Sequence, residues 1–181
     1  PRRAPTLYPG SMQPTAQPAA PTMSEPNDLP YVIRAEQRVA APPAAVWAVL
    51  ADFGNVHRWS PTVTASRLTS TATAGPGCSR ACDIRGMGRL EETVTSWDEG
   101  RGFTYVATPL GPMGEARNRW TVAAAPGGSV VSVELSYRLR YGVLGRALHA
   151  LAMRKKLARL MPVVLAQLAT HVERGSIAQV A

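Results

Sequence analysis

A pair of adjacent carboxylates is the first candidate for proton transfer in this chain. Glu91 and Glu92 lie in RLEETVTSW, a segment with strand-like alternation, so their side chains face opposite ways. Glu92 shares its face with Leu90 and Val94 and is expected to point inward. A buried carboxylate must be paired or neutral. The candidate partners are Arg80, Arg117 and Arg119. Glu92 is therefore either a proton-transfer group or half of a structural ion pair, and we favour the ion pair.

His57 is the second candidate for acid–base chemistry. It lies in a short helical segment near the expected mouth of a cavity, and its ordinary pKa suits proton transfer at neutral pH. The alternative, which we favour, is a partly exposed helix residue without a catalytic role. The sequence contains no G-x-S-x-G, P-loop, H-E-x-x-H or Rossmann glycine motif. Catalytic residues are therefore not assigned beyond these two candidates.

A set of aromatic residues with a few polar tips suits an oriented apolar ligand. The alternative for each aromatic residue is ordinary core packing. The predicted lining residues are Trp59, Cys82, Glu92, Tyr105, Asn118, Trp120 and Tyr137, together with Met153, Leu157 and Met161 from the last helix.

The order of elements shows what would hold these side chains in place. VIRAEQRVA alternates as a half-buried strand should, and Pro42-Pro43 then lead into the helical segment AAVWAVLADF. A second short helix through His57 is expected to end at Ser60-Pro61. Six strand segments follow, separated by Gly- and Pro-containing turns. They cover residues 62–70, 78–84, 89–98, 103–108, 115–125 and 129–140.

The last element is a long helix with a broad apolar stripe. Its apolar residues are Leu144, Leu148, Leu151, Leu157, Leu160, Met161, Val164, Leu165, Leu168 and Val172. Pro162 predicts a kink near Ala158, and Gly175 predicts the end of the helix. The whole pattern predicts an α+β fold. A seven-stranded antiparallel sheet curves around the C-terminal helix, with two short helices after the first strand. One helix cannot fill such a sheet, so a cavity is expected.

Several segments also carry a family pattern. APPAAVWAVLADFGNVHRWSPTV resembles the opening of the polyketide cyclase/dehydrase branch of the START-like (SRPBCC, helix-grip) superfamily. RLEETVTSWDEGRGFTY, NRWTV with SVVSVELSYRL, and LAQLATHVE resemble its later segments. The resemblance covers residues 31–175 and implies the helix-grip fold. It leaves function open, because the superfamily includes lipid carriers, hormone receptors, cyclases, quinone-binding proteins and ribosome-binding toxins.

Composition and charge define the rest of the chain. The chain has 181 residues and a net charge of +8. Residues 1–30 are rich in proline and are predicted to form a disordered tail, the domain spans 31–175, and 176–181 form a C-terminal tail. Cys78 and Cys82, roughly 13 Å apart if on one strand, are expected to be free thiols, as in a cytoplasmic protein. No stretch of about 18 apolar residues is present.

One segment concentrates the positive charge. Residues 135–172 contain seven basic side chains and no acidic one. This pattern indicates either contact with an anionic membrane, RNA or an acidic partner, or simply a solvated helix face, which we favour. The basic residues are Arg138, Arg140, Arg146, Arg154, Lys155, Lys156 and Arg159.

Our leading interpretation is a protein that binds a hydrophobic small molecule such as a lipid, polyketide or isoprenoid. The first alternative is a polyketide cyclase or dehydrase, which leaves open whether the protein is an enzyme. The second is an interaction protein that uses its basic C-terminal helix, with peripheral membrane contact favoured over nucleic acid. No metal and no cofactor are expected, because two cysteines without neighbouring histidines make a poor zinc site.

Overall fold

The computed structural model describes residues 28–148 and 152–178. Most of the tail predicted over residues 1–30 lies outside the described residues. Within residues 28–30, Leu29 is buried. The predicted C-terminal tail begins inside a helix, which continues through Gly175 to Ala178. Gly175 therefore does not end the helix.

All the predicted strands form, and they build one antiparallel sheet. Their order is β1-β7-β6-β5-β4-β3-β2, so only the contact between β1 and β7 joins strands far apart in sequence. Alternation of apolar and polar residues gives the sheet one buried and one exposed face. The strands are β1 Tyr31–Val39, β2 Val63–Leu68, β3 Ser79–Ile84, β4 Gly88–Asp98, β5 Gly102–Ala107, β6 Met113–Ala125 and β7 Gly128–Leu139.

Two short helices follow β1, as predicted. Helix α1 spans Pro43–Ala51 and starts with proline in its first turn, where no backbone donor is lost. A 3-10 helix, Phe53–Arg58, comes next and carries His57. Together they cover one end of the buried sheet face, with Val46, Leu50 and Phe53 almost wholly buried.

The core lies between the concave face of the sheet and these helices, with the long C-terminal helix along the sheet. Irregular pairing interrupts three strand pairs, in β2, β4 and β6. Such bulges bend and twist a sheet. The predicted α+β arrangement of a seven-stranded antiparallel sheet and a long helix is confirmed.

The C-terminal region differs from the prediction at its start. The described residues form two helical segments, α2, Gly142–Leu148, and α3, Arg154–Ala178, which includes Pro162, and residues 149–151 between them lie outside the described residues. The predicted apolar stripe is buried at Leu165 and Leu168, whereas Leu151 lies outside the described residues. Leu144 is 72% exposed. Its assignment to the packed stripe is wrong, because α2 does not lay that face against the sheet.

Candidate functional site

Two adjoining cavities lie between the concave sheet face and α3. The smaller, about 110 Å³, is closed off by Leu50, Val56 and Trp59 from the helical segment after β1. The larger, about 190 Å³, lies further along α3 and is walled mainly by apolar side chains. Ile84, Glu92, Asn118 and Met161 line both. The cavities therefore meet at a junction that carries a carboxylate and an amide.

A buried ion pair forms the polar wall of the smaller cavity. Arg80 on β3 and Glu92 on β4 are directly opposite each other in the antiparallel register. The guanidinium Nε donates to Glu92 Oε2 at 2.5 Å, and Nη1 donates to the carbonyl of Phe53 at 2.7 Å. The side chains are only 6% and 10% exposed. Both charges are therefore held in fixed positions away from bulk water.

Aromatic rings surround the guanidinium. The Arg80 Cζ atom lies 3.8 Å from the centre of the Phe53 ring and 5.3 Å from that of Tyr105, within the range of cation–π attraction. Burial lowers the pKa of Arg80, but attraction to Glu92 and the other neighbours outweighs it, so the pKa is raised. Arg80 therefore remains a cation. Burial, helped by Glu92, raises the pKa of the Tyr105 hydroxyl, so this group stays protonated.

Cys82 completes this cluster. It is free, 1% exposed, and its Sγ lies 3.6 Å from Glu92 Oε2 as a weak donor. Burial, and then the neighbouring Glu92 carboxylate, raise the pKa of the thiol to about 12. Thiolate is the reactive form of cysteine, so Cys82 is a protonated, unreactive group at neutral pH. Because Arg80 and Cys82 both donate to Oε2, Oε1 is the Glu92 oxygen without a described donor among residues 28–148 and 152–178.

Most of the predicted lining residues come together at these cavities. Trp59, Tyr105 and Trp120 line the smaller cavity, and Met153 and Leu157 line the larger. Glu92, Asn118 and Met161 lie at the junction.

The remaining candidates are placed elsewhere. Cys82 is buried beside Glu92 and lines neither of these two cavities. Tyr137 is buried in a core cluster with Leu157 and lines neither of them. His57 is exposed. Its Nδ1 lies 2.7 Å from Ser66 Oγ, which itself donates to the Gly54 carbonyl. His57 is therefore held on the outer surface and does not line either cavity.

The register resolves which arginine pairs with Glu92. Arg80 does so, whereas Arg117 and Arg119 alternate with the inward-facing Asn118 and Trp120 and so point to the opposite face of the sheet. The larger cavity is also lined by three residues that were not predicted from the sequence, Leu110, Met113 and Ala116. The apolar loop PLGPMG was the available signal for the first two.

Neither a metal cluster nor a membrane-crossing helix is seen in the described ranges. Within residues 28–148 and 152–178, histidine, cysteine and acidic side chains form no group of three or more suited to hold a metal ion. In the same residues no helix combines the length and hydropathy needed to cross a bilayer.

The sequence of the chain matches a known protein family. Residues 31–173 match the sequence family described as "Polyketide cyclase / dehydrase and lipid transport". No curated protein sequence matches the chain.

Among solved structures, TTHA0849 from Thermus thermophilus is 20% identical with a TM-score of 0.68, over 81% of this chain and 99% of that one. A START superfamily protein from Mycobacterium smegmatis is 15% identical with a TM-score of 0.60, over 83% and 99%. The di-domain ARO/CYC BexL from the BE-7585A biosynthetic pathway is 18% identical with a TM-score of 0.62, over 80% of this chain and 49% of that one. These likenesses show the START-like helix-grip fold.

Proposed function

The chain belongs to the polyketide cyclase/dehydrase and lipid transport family, and we propose that it binds an elongated apolar molecule with one polar group between its sheet and α3. The observation that carries this proposal is the pair of adjoining cavities with a charged wall at one end. The larger is apolar along Leu110, Leu135 and Leu157. The smaller brings Arg80 and Asn118 to the ligand. A mostly apolar pocket with a few convergent polar groups is the usual design of a small-molecule site.

The distribution of polarity sets the orientation of the ligand. Its apolar part lies along α3 in the larger cavity, where water would find few partners. Its hydrogen-bonding group lies at the junction, within reach of Glu92 and Asn118. A plain hydrocarbon there would take away the water that hydrogen-bonds to Glu92 and Asn118 and offer no partner in return, at about 1–3 kcal/mol per polar group. A ligand with a carbonyl or hydroxyl at that end is therefore favoured.

The test is a titration with N-phenyl-1-naphthylamine, an uncharged apolar probe whose fluorescence rises on leaving water. Ala116 lines the larger cavity and is 6% exposed, so Ala116→Leu fills it. Ala123 lies on the same strand but is exposed, which makes Ala123→Leu the matched control. We expect Ala116→Leu to weaken probe binding by about tenfold or more, because the added side chain takes up apolar space that the probe needs. Ala123→Leu should leave binding unchanged. Equal binding by both variants and the parent chain would refute the proposal.

We propose catalysis as a second function, of the cyclase or dehydrase type, on a ligand of this kind. The observation that favours it is a carboxylate, a guanidinium and a phenol gathered at one cavity, from Glu92, Arg80 and Tyr105. Arg80 can stabilise negative charge that develops on a ligand oxygen, and the open Oε1 of Glu92 can accept a proton from a neighbouring carbon. BexL, an ARO/CYC protein, shares the fold.

The catalytic proposal is tested with a reactive poly-β-ketone and the variant Glu92→Gln, which keeps the shape of the side chain and removes its basicity. We expect turnover to fall about 100-fold or more while probe binding is retained. Unchanged turnover in Glu92→Gln would show that Glu92 is not the base and would refute this role, and absence of turnover in the parent chain would leave only the binding function.

A further inference from the structure

We propose that the chain docks on an anionic phospholipid membrane through α2 and the turn before it. The docking surface is defined here as Arg140, Tyr141, Val143, Leu144 and Arg146. It is separate from the ligand cavities, and the proposal stands without them.

Three large apolar side chains of this surface are exposed together. Tyr141, Val143 and Leu144 are 64%, 71% and 72% exposed. Isolated surface leucines are ordinary, but adjacent apolar residues on one short element are the mark of an interaction site. Tyr141 has a φ of 73° and Gly142 one of 48°, so the chain turns sharply between β7 and α2. This turn carries the apolar residues away from the sheet.

The charge around the apolar group identifies the partner. Arg140 and Arg146 are exposed, and among the residues that the structure describes neither has an acidic partner within ion-pair distance. The surrounding sequence from 135 to 172 contains no acid at all. Arginines beside exposed aliphatic side chains match a surface that is anionic outside and apolar beneath. RNA would use the arginines but would gain little from Val143 and Leu144, because aliphatic chains do not stack on bases.

The docking surface lies next to one wall of the larger cavity. The backbone N–H of Arg140 donates to the Pro112 carbonyl at 2.9 Å, so the docking surface begins beside the loop before β6. That loop supplies Leu110 to the wall of the larger cavity, and Met113, the first residue of β6, lines it as well. Docking would therefore bring the apolar cavity close to the bilayer. This part of the inference rests on the proposed ligand-binding function.

The experiment is flotation of the full chain with vesicles of phosphatidylcholine, alone or mixed equally with phosphatidylglycerol. Two double variants divide the surface: Val143→Ser with Leu144→Ser removes the apolar part, and Arg140→Gln with Arg146→Gln removes the charge. Val163 is an exposed apolar residue on α3, and Arg67 is an exposed arginine on β2 at the far edge of the sheet. Val163→Ser and Arg67→Gln are therefore the matched controls.

We expect the parent chain and both controls to float with the anionic vesicles and not with phosphatidylcholine alone. Each double variant should lose on the order of tenfold or more in partitioning. The apolar double variant should still bind N-phenyl-1-naphthylamine in solution, which separates a failure of docking from a failure of ligand binding. No binding to anionic vesicles, or full binding by the apolar double variant, would overturn the proposal. Preferential binding to polyuridylate that both double variants lose equally would do so as well.

Discussion

Removing Arg80 from its buried ion pair with Glu92 should lower the free energy of unfolding by several kcal/mol. Arg80→Met replaces the guanidinium with an apolar chain and leaves the Glu92 carboxylate, only 10% exposed, without its cation. An uncompensated buried charge of this kind costs about 3–5 kcal/mol. The hydrogen bond to the Phe53 carbonyl is lost as well, which adds about 1 kcal/mol.

The free energy of unfolding is measured by urea denaturation. A total loss of about 4–6 kcal/mol lowers the urea midpoint by about 2–3 M for a domain with a slope near 2 kcal/mol/M. The matched control is Arg89→Met, which breaks an exposed pair with Asp83 on the same sheet. This control should leave the urea midpoint nearly unchanged, because water screens an exposed ion pair.

A double variant completes this test. Arg80→Met together with Glu92→Leu removes both charges and should recover most of the lost stability, because the carboxylate is no longer buried alone. If Arg80→Met costs less than about 1 kcal/mol, or if the double variant loses the sum of the two single effects, then the pair is not a coupled buried unit.

Three further outcomes are expected. The indole N–H groups of Trp47 and Trp97 donate to the Glu99 carboxylate at 2.8 and 2.7 Å and lower its pKa below the ordinary value of 4.5. The ionised Glu99 carboxylate therefore stabilises the fold fully above pH 4.5, and this stabilisation is lost as the pH falls through the lowered pKa. Glu99→Gln should flatten this pH dependence of the urea midpoint, and an unchanged profile would contradict it. Cys82, with its pKa raised to about 12, should resist a thiol reagent at neutral pH until the chain is unfolded, and rapid native labelling would contradict its burial. A side chain at Gly102 would collide with a carbonyl of β6, so Gly102→Ala should cost about 1–3 kcal/mol in thermal unfolding, whereas an unchanged midpoint would show that β5 can shift.

The fold could be predicted from the sequence because apolar residues alternate clearly in the strands and recur at helical spacing in the last helix. Alternation predicted an inward side chain for Glu92 and a shared face for Asn118 and Trp120, and in the structure all three line the smaller cavity. The choice among three arginines for Glu92 depended on cross-strand register. The sequence does not specify that register until the turns between β3 and β4 are known.

Other features depended on tertiary packing that periodicity does not report. The helical spacing of Leu144 fits a buried stripe, but the spacing does not say whether that turn of helix rests on the sheet. Tyr137 shares a face with true cavity residues, yet Leu157 and its neighbours fill the space beside it. His57 lies close in sequence to the cavity residue Trp59. In the structure a hydrogen-bonding pair with Ser66 holds its ring on the outside.

If an apolar ligand binds between the sheet and α3, methyl NMR should detect it at the methionines of the larger cavity. Methyl signals of Met113, Met153 and Met161 report on the cavity, and Val163 is an exposed reference on the same helix as Met161. On titration with decan-1-ol, we expect the three methionine signals to shift and saturate together while the Val163 signals stay in place. Saturable shifts confined to Val163, or no shifts at the methionines at any decan-1-ol concentration, would contradict binding between the sheet and α3.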